Sequence, residues 1–499
     1  MRELAIFIIK LKKLGITNEK IKEDIIETTS IGISNVEYHE EHFFALITKL
    51  YTEMLNAKEL YINVCKRNNM KFNLPKSSLK HPRKLSFSDL IKHGQKNFNL
   101  KYTKLDVDQM SLIELFMNII KSLCVHLVEL RMLGFDDEAV YDVLLLTFAL
   151  KTSLIPYIQK FLPKKIQELV SINNRLLRQL HEVKKEKYGE MEPTEISMDT
   201  RQGKAILVSG SNLKELELLL EATKDKGVDI YTYGHMLSAH LYPKFKTYPH
   251  LVGHFGKNLS NYLMDFTEFP GAIFLTRHSF LNVEKFFQCR IYTTDPVATK
   301  GVGIIKNNHF EPLIEATLNS KGFKETTRHE PIKFNLSEKF IVEKINEAAQ
   351  KIENGKIKHF FTIGISNHTK LQEEYFKKFL DLLDDSCFVM SFSYSNDTDN
   401  ILRINSNYGF PLTYKALDIL TKNMSIEQLD PIILFTRCET HTFSNALYMK
   451  QLGINKIYFT DCSPALINPA LTKFFRKIFD IKKYTTPERD LKEMLSNRK

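Results

Sequence analysis

The chain has 499 residues, of which 43% are hydrophobic and 26% charged, and a formal net charge of +11. That length allows about two to four domains with a core of normal size, and the composition excludes disordered, collagen-like and disulfide-rich classes. Six cysteines, at 65, 124, 289, 387, 438 and 462, form no CxxC pair, and four fall in apolar stretches; they read as reduced, mostly buried thiols of a cytoplasmic protein.

Residues 1–15, MRELAIFIIKLKKLG, mix acid and base among apolar residues. They predict an amphipathic helix ended by Gly15 rather than a signal peptide. The charge is uneven. Between Lys66 and Lys104 stand eleven Lys/Arg and one acid, Asp89, a local balance of +10 that leaves +1 for everything else. This basic insertion, rich in Asn, Ser and Pro, reads as a solvated loop or weakly ordered excursion, and does not by itself favour a nucleic-acid partner. SLIELFMNIIKSLCVHLVELRMLG (111–134) has helical apolar spacing and ends on Gly134. VYDVLLLTFALKTSLIPYI (140–158) is broken by Asp142, Lys151 and Pro156. It falls short of the roughly 20 apolar residues of a membrane span and reads as a buried helix, so no membrane partner is expected. PKKIQELVSINNRLLRQLHEVKKEKYG (163–189) begins with proline and ends with glycine, as helices prefer.

From about 203 the texture changes. AILVSGS (205–211), VDIYTY (228–233), GAIFLTRHS (271–279) and RIYTT (290–294) are short apolar runs, the first two separated by the helical NLKELELLLEATKDKG. After a helix at 338–354 the pattern restarts with KHFFTIGIS (358–366), LQEEYFKKFLDLLD, CFVMSFSYS (387–395), PIILFTR (431–437), THTFSNALYMKQLG and KIYFT (456–460). Uniformly apolar strands alternating with helices predict parallel sheets covered on both faces. In such sheets the functional crevice lies beyond the carboxyl ends of the strands. The residues there are Ser211, Ser279, Ser366, Ser393 and Glu439. They suggest a polar cavity without naming its chemistry. There is no GxGxxG and no P-loop; Gly210 is followed by Ser-Asn-Leu.

GVDIYTYGHMLSAHLYPKFKTYPHLVGHFG (227–256), FPGAIFLTRHS (269–279), RIYTTDPVATKGVGII (290–305), HFFTIGIS (359–366) and LGINKIYFTDCSPALINPAL (452–471) resemble, in the same order, segments of the hybrid-cluster protein (prismane, hydroxylamine reductase) family. The resemblance covers roughly 203–490, with 396–430 aligning poorly. The chain reads as an α/β multidomain protein: a helical bundle domain over 1–200 carrying the basic insertion 66–104, compatible with that family's helical first domain, then two Rossmann-like open parallel domains over 203–335 and 336–499. The resemblance implies an activity as well: reduction of hydroxylamine and nitric oxide through two metal centres. One is an iron–sulfur cluster held by cysteines near the chain start, and no cysteine here precedes Cys65. The other is an iron–sulfur–oxygen cluster held by one His, two Glu and four Cys.

Matched motif to motif, that His falls on Ser211 and the first Glu on His235. Three of the cysteines fall on Ser279, Ser366, and Ser393 or its neighbour Tyr394. The fourth lies in 396–430, which holds no cysteine, while the second Glu is kept as Glu439 and a nearby Lys becomes His441. Iron–sulfur clusters need soft anionic thiolates, and a serine hydroxyl is hard and stays protonated. The expectation is therefore no cofactor, and a cluster-free relative with a binding or scaffold role. A small ligand would sit in the former cluster cavity, and partner proteins are unknown. The alternative is a surviving oxidoreductase. A third reading keeps a metal but changes it: His235, Glu439, His441 and His278 suit a single zinc or iron. Against it, sixteen histidines cluster by chance, and His235 and His240, five apart, do not share a helix face. Lys244 and Lys246 read as surface lysines.

Overall fold

The computed structural model describes the chain except residues 32–38, 76–85, 99–105, 150–154, 257–260, 280–282, 335–336, 365–369, 393–399, 405–408, 436–439, 460–468 and 497–499. It divides into two compact units. The first comprises residues 1–33, 37–173 and 296–300; the second comprises 34–36, 174–295 and 301–499.

The first unit is helical. Helix Glu19–Ser30 packs on Val107–Met132, and Arg2–Lys12 packs on Glu40–Arg67 and Glu138–Ala149. Local chemistry sets the helix ends. The Asn18 side chain accepts from the Ile21 amide. Asp106 and Gln109 form a reciprocal capping box, and Gly15 and Gly134 stop their helices at φ of 75° and 90°. By length and hydropathy Val107–Met132 could cross a membrane, but 67% of its most apolar stretch is buried within the protein, and it is a core helix. The basic segment is not all loop: Phe87–Phe98 is helical, opened by Ser86, whose hydroxyl accepts from the Asp89 amide and donates to the Asp89 carboxylate. The helix expected from Pro163 begins earlier, at Ile155, so that Pro163 lies inside it without an amide to donate.

The strands are, in chain order, β1 (Thr194–Ile196), β2 (Lys204–Ser209), β3 (Val228–Tyr233), β4 (Leu251–His254) and β5 (Ala272–Leu275). Then come β6 (Ile291–Thr293), β7 (Gly303–Ile304), β8 (Ile332–Phe334), β9 (His359–Ile363) and β10 (Cys387–Ser391). β11 (Ile401–Arg403), β12 (Ile432–Phe435), β13 (Lys456–Phe459) and β14 (Lys482–Lys483) complete the set. β1 and β8 form an antiparallel ribbon. The others build two six-stranded parallel sheets, ordered β4-β3-β2-β5-β6-β7 and β11-β10-β9-β12-β13-β14. Numbered from the first strand of each, both read 3-2-1-4-5-6, the doubly wound order. The central strands are buried along nearly their whole length, as two-faced coverage requires. Leu207, Tyr231, Phe269 and Ile273 centre one core; Phe361, Phe379, Val389 and Leu434 centre the other. Buried Glu338 opens helix Glu338–Glu353 and takes Lys185 at 2.9 Å together with Lys415.

β2 and β5 are the neighbours between which the winding direction reverses. Their ladder continues past both strands, the Thr276 amide donating to the Ser209 carbonyl at 2.9 Å. Gly210 then turns at φ 118°, and a Cβ placed there would lie 1.9 Å from Thr276 Oγ1. Gly210→Ala should therefore cost about 3 kcal/mol or more, strain and overlap combined. Gly227→Ala, at φ 68° with open space around it, should cost only about 1 kcal/mol. Urea unfolding of the two variants checks the contrast; equal losses would contradict it.

Candidate functional site at the carboxyl edge of the first sheet

Beyond β2 the chain runs Ser209-Gly210-Ser211-Asn212 into helix Leu213–Thr223. Asn212 caps that helix by accepting from the Glu215 amide at 3.1 Å. Glu215, in the first turn where the helix dipole favours an anion, points inward with its side chain 1% exposed. One carboxylate oxygen accepts from the Arg277 amide at 2.7 Å. The other accepts from the Thr294 hydroxyl at 2.6 Å, and the Arg277 guanidinium stands 3.4 Å from it. Burial pushes the Glu215 carboxyl above its ordinary range, against Arg277 and Thr294, which pull it down.

The loop after β5 is shaped by these bonds. His278 takes the left-handed conformation, φ 62°, which few non-glycine residues adopt. Its amide donates to Asp295 Oδ2 at 3.1 Å. The Ser279 amide closes the turn onto the Thr276 carbonyl at 3.2 Å. The Ser279 side chain is buried, 9% exposed, and its Oγ has no hydrogen-bond partner among the described residues. The His278 imidazole is pulled down to about 3, first by burial and then by the charges of Arg277 and His441; burial takes His441, on helix Thr440–Gln451, down to about 4.

Of the other residues expected at the site, Ser211 is exposed and His235 half-buried. His235 lies in a 3₁₀ helix, Gly234–Leu241. Ser366, Ser393, Tyr394 and Glu439 lie outside the described residues. A second polar corner went unforeseen: Thr232 Oγ1 lies 3.0 Å from His240 Nε2 and 2.8 Å from His254 Nδ1, beside Tyr233, whose hydroxyl donates to Asp265 at 2.7 Å. Glu215 was also missed, because the segment was read only as a helix between two strands. The signal was its spacing: Glu215, Leu219 and Thr223 recur at i, i+4, i+8 and are all buried.

The described donors at this edge do not fit an iron–sulfur cluster, because they are hydroxyls and imidazoles instead of thiolates. The described cysteines stand elsewhere. Cys65 and Cys124 lie in helices of the first unit. Cys289 precedes β6, and Cys387 opens β10, so both lie at amino ends of strands. Among the described residues, no three of His, Cys, Asp and Glu are grouped to hold a metal ion.

A helical unit followed by two doubly wound sheets, with polar side chains gathered at the switch point, defines an α/β protein whose site lies beyond the strand ends. Residues 15–393 match the Prismane/CO dehydrogenase family, and the chain belongs to that family. It is 28% identical to the hydroxylamine reductase of Thermodesulfovibrio yellowstonii, covering 96% of this chain and 89% of that one. It is 27% identical to the hydroxylamine reductase of Syntrophobacter fumaroxidans, covering 99% and 93%. A solved structure of the alpha subunit of acetyl-CoA synthase/carbon monoxide dehydrogenase, with NiZn[Fe4S4] and NiNi[Fe4S4] clusters, matches with a TM-score of 0.51 at 10% identity, covering 99% of this chain and 81% of that one. That last likeness is of fold alone.

Among the described residues, burial holds five imidazoles below their ordinary value: His181, His240 and His441 at about 4, and His254 and His278 at about 3. Between those values and 6.5 the unfolded chain binds more protons than the folded one, so stability falls as the pH falls. The raised carboxyls of Glu215, Asp229 and Asp265 offset part of this. Unfolding midpoints should drop from pH 7 to pH 5, with the His254 ring resonances still those of a neutral imidazole at pH 5. A flat profile, or a His254 ring titrating near 6.5, would contradict the burial argument.

Proposed function

We propose that this chain is a cluster-free member of the hydroxylamine reductase branch of its family, with a binding or scaffold role in place of redox catalysis. One observation carries the reading. Ser279, where the resemblance puts the first cluster cysteine, is buried beyond β5 with an unpartnered hydroxyl. A hydroxyl replaces a thiolate at little change in volume, keeps the cavity polar and cannot hold iron–sulfur chemistry. Reduction of hydroxylamine belongs to the relatives by name. It requires electrons to pass through a metal centre that this donor set does not build. The crevice of hydroxyls and imidazoles suits a small hydrogen-bonding ligand.

Anaerobically purified protein, given a strong artificial electron donor, should show no hydroxylamine reduction above the free-iron background. Supplying the donor removes electron delivery as the missing part, so a null result points to the site. Turnover that Glu439→Ala abolishes would overturn the proposal in favour of an oxidoreductase.

A second reading is one divalent ion held by His235, Glu439, His441 and His278, imidazole and carboxylate donors that suit zinc or a single iron. Calorimetric zinc titration decides it: tight one-to-one binding lost in His278→Ala and His441→Ala supports a repurposed metal site, and no heat removes it.

A further inference from the structure

We infer that Glu215 is the internal anchor of the crevice, the protein's own replacement for a metal centre as the tie between the loops at the carboxyl edge of the first sheet. The inference rests on the cluster-free reading above. Three segments meet at this one carboxylate: its own helix after β2, the Arg277–Ser279 turn after β5, and Thr294 after β6. A metal cluster ties loops by accepting several of them as ligands at a single point. A carboxylate has two oxygens and about four lone pairs, so it can accept an amide, a hydroxyl and a guanidinium together.

An apolar side chain would fill the same space without the cost of burying charge. Leucine in place of Glu215 would leave the Arg277 amide and the Thr294 hydroxyl without their acceptor. The worth of the acid therefore lies in what it holds. It fixes the residue just before His278, whose left-handed backbone is held on its other side by Asp295. Through that turn it sets where His278 and Ser279 stand. Glu215 is a positioning residue, acting through Arg277 and Thr294.

The test uses full-length protein, with iron content measured on every sample. Glu215→Ala should lower the folding equilibrium constant by on the order of a hundredfold or more, the usual consequence of orphaning a buried charge partner. Amide hydrogen exchange in segment 276–279 should accelerate, while exchange in 253–256, beside the Thr232 corner, stays as in the wild type. Glu215→Gln keeps an acceptor oxygen for the Arg277 amide but loses the charge. It should retain slow exchange in 276–279 with stability reduced about tenfold, and it keeps the question open to measurement if the alanine variant does not fold. Combining Glu215→Leu with Arg277→Met should recover stability relative to Glu215→Ala without restoring slow exchange in 276–279. Unchanged exchange in 276–279 upon Glu215→Ala, exchange rising equally in both segments, or Glu215→Gln losing protection in 276–279 would overturn the anchor. Stoichiometric iron in the wild type, with exchange behaving as expected, would instead overturn the cluster-free reading and leave Glu215 as an anchor beside a metal.

Discussion

A polar crevice at the switch point of a parallel sheet must satisfy its own hydrogen bonds, and in this protein one buried carboxylate meets most of that demand. Glu215 accepts from the loops after β5 and β6 while its own amide is capped by Asn212. The arrangement depends on Gly210, because only a residue without a Cβ lets the chain pass Thr276 and enter the helix there. From that point the turn at His278 and the burial of Ser279 follow in sequence along the chain. In a low-dielectric site such a network is stable only when its members are paired. Ser279 Oγ, left without a partner, is where a ligand or water molecule would be received.

The same constraint accounts for the neutral histidines. Imidazoles enclosed near Arg277, or near one another at Thr232, cannot charge without desolvating a cation beside other donors. They are held as uncharged hydrogen-bonding groups. The edge therefore presents hydroxyls, neutral rings and a compensated ion pair, a donor set suited to binding by hydrogen bonds. Among the described residues, the cysteines stand away from this edge.

The sheets were legible in the sequence because their central strands are continuous apolar runs set between amphipathic helices, and two-faced burial permits no other pattern. Short edge strands such as β7 and β14, two residues each, carry no such signal. Likewise, β4 hides inside a histidine- and glycine-bearing stretch that reads as loop. The early start of the helix at Ile155 was obscured by Pro163, whose preference for a first turn was outweighed by the helix around it. The positions of Ser211, His235 and Ser279 at strand ends could be anticipated from punctuation and family resemblance. Their support could not: Glu215 meets Arg277 and Thr294 only when strands β2, β5 and β6 are laid side by side, at separations of 62 and 79 residues along the chain. A lone acid in a leucine-rich helix does not announce a tertiary partner.

The central claim is that hydroxyls and a buried carboxylate occupy the place of a cluster. Its most direct test is quantitative iron and acid-labile sulfide analysis of anaerobically purified, full-length protein, with the visible spectrum recorded on the same sample. The account predicts a colourless, folded protein without stoichiometric iron or sulfide. A brown protein carrying several irons and sulfides per chain would contradict it, and would mean that Cys387, Cys438 or Cys462 had been recruited as ligands.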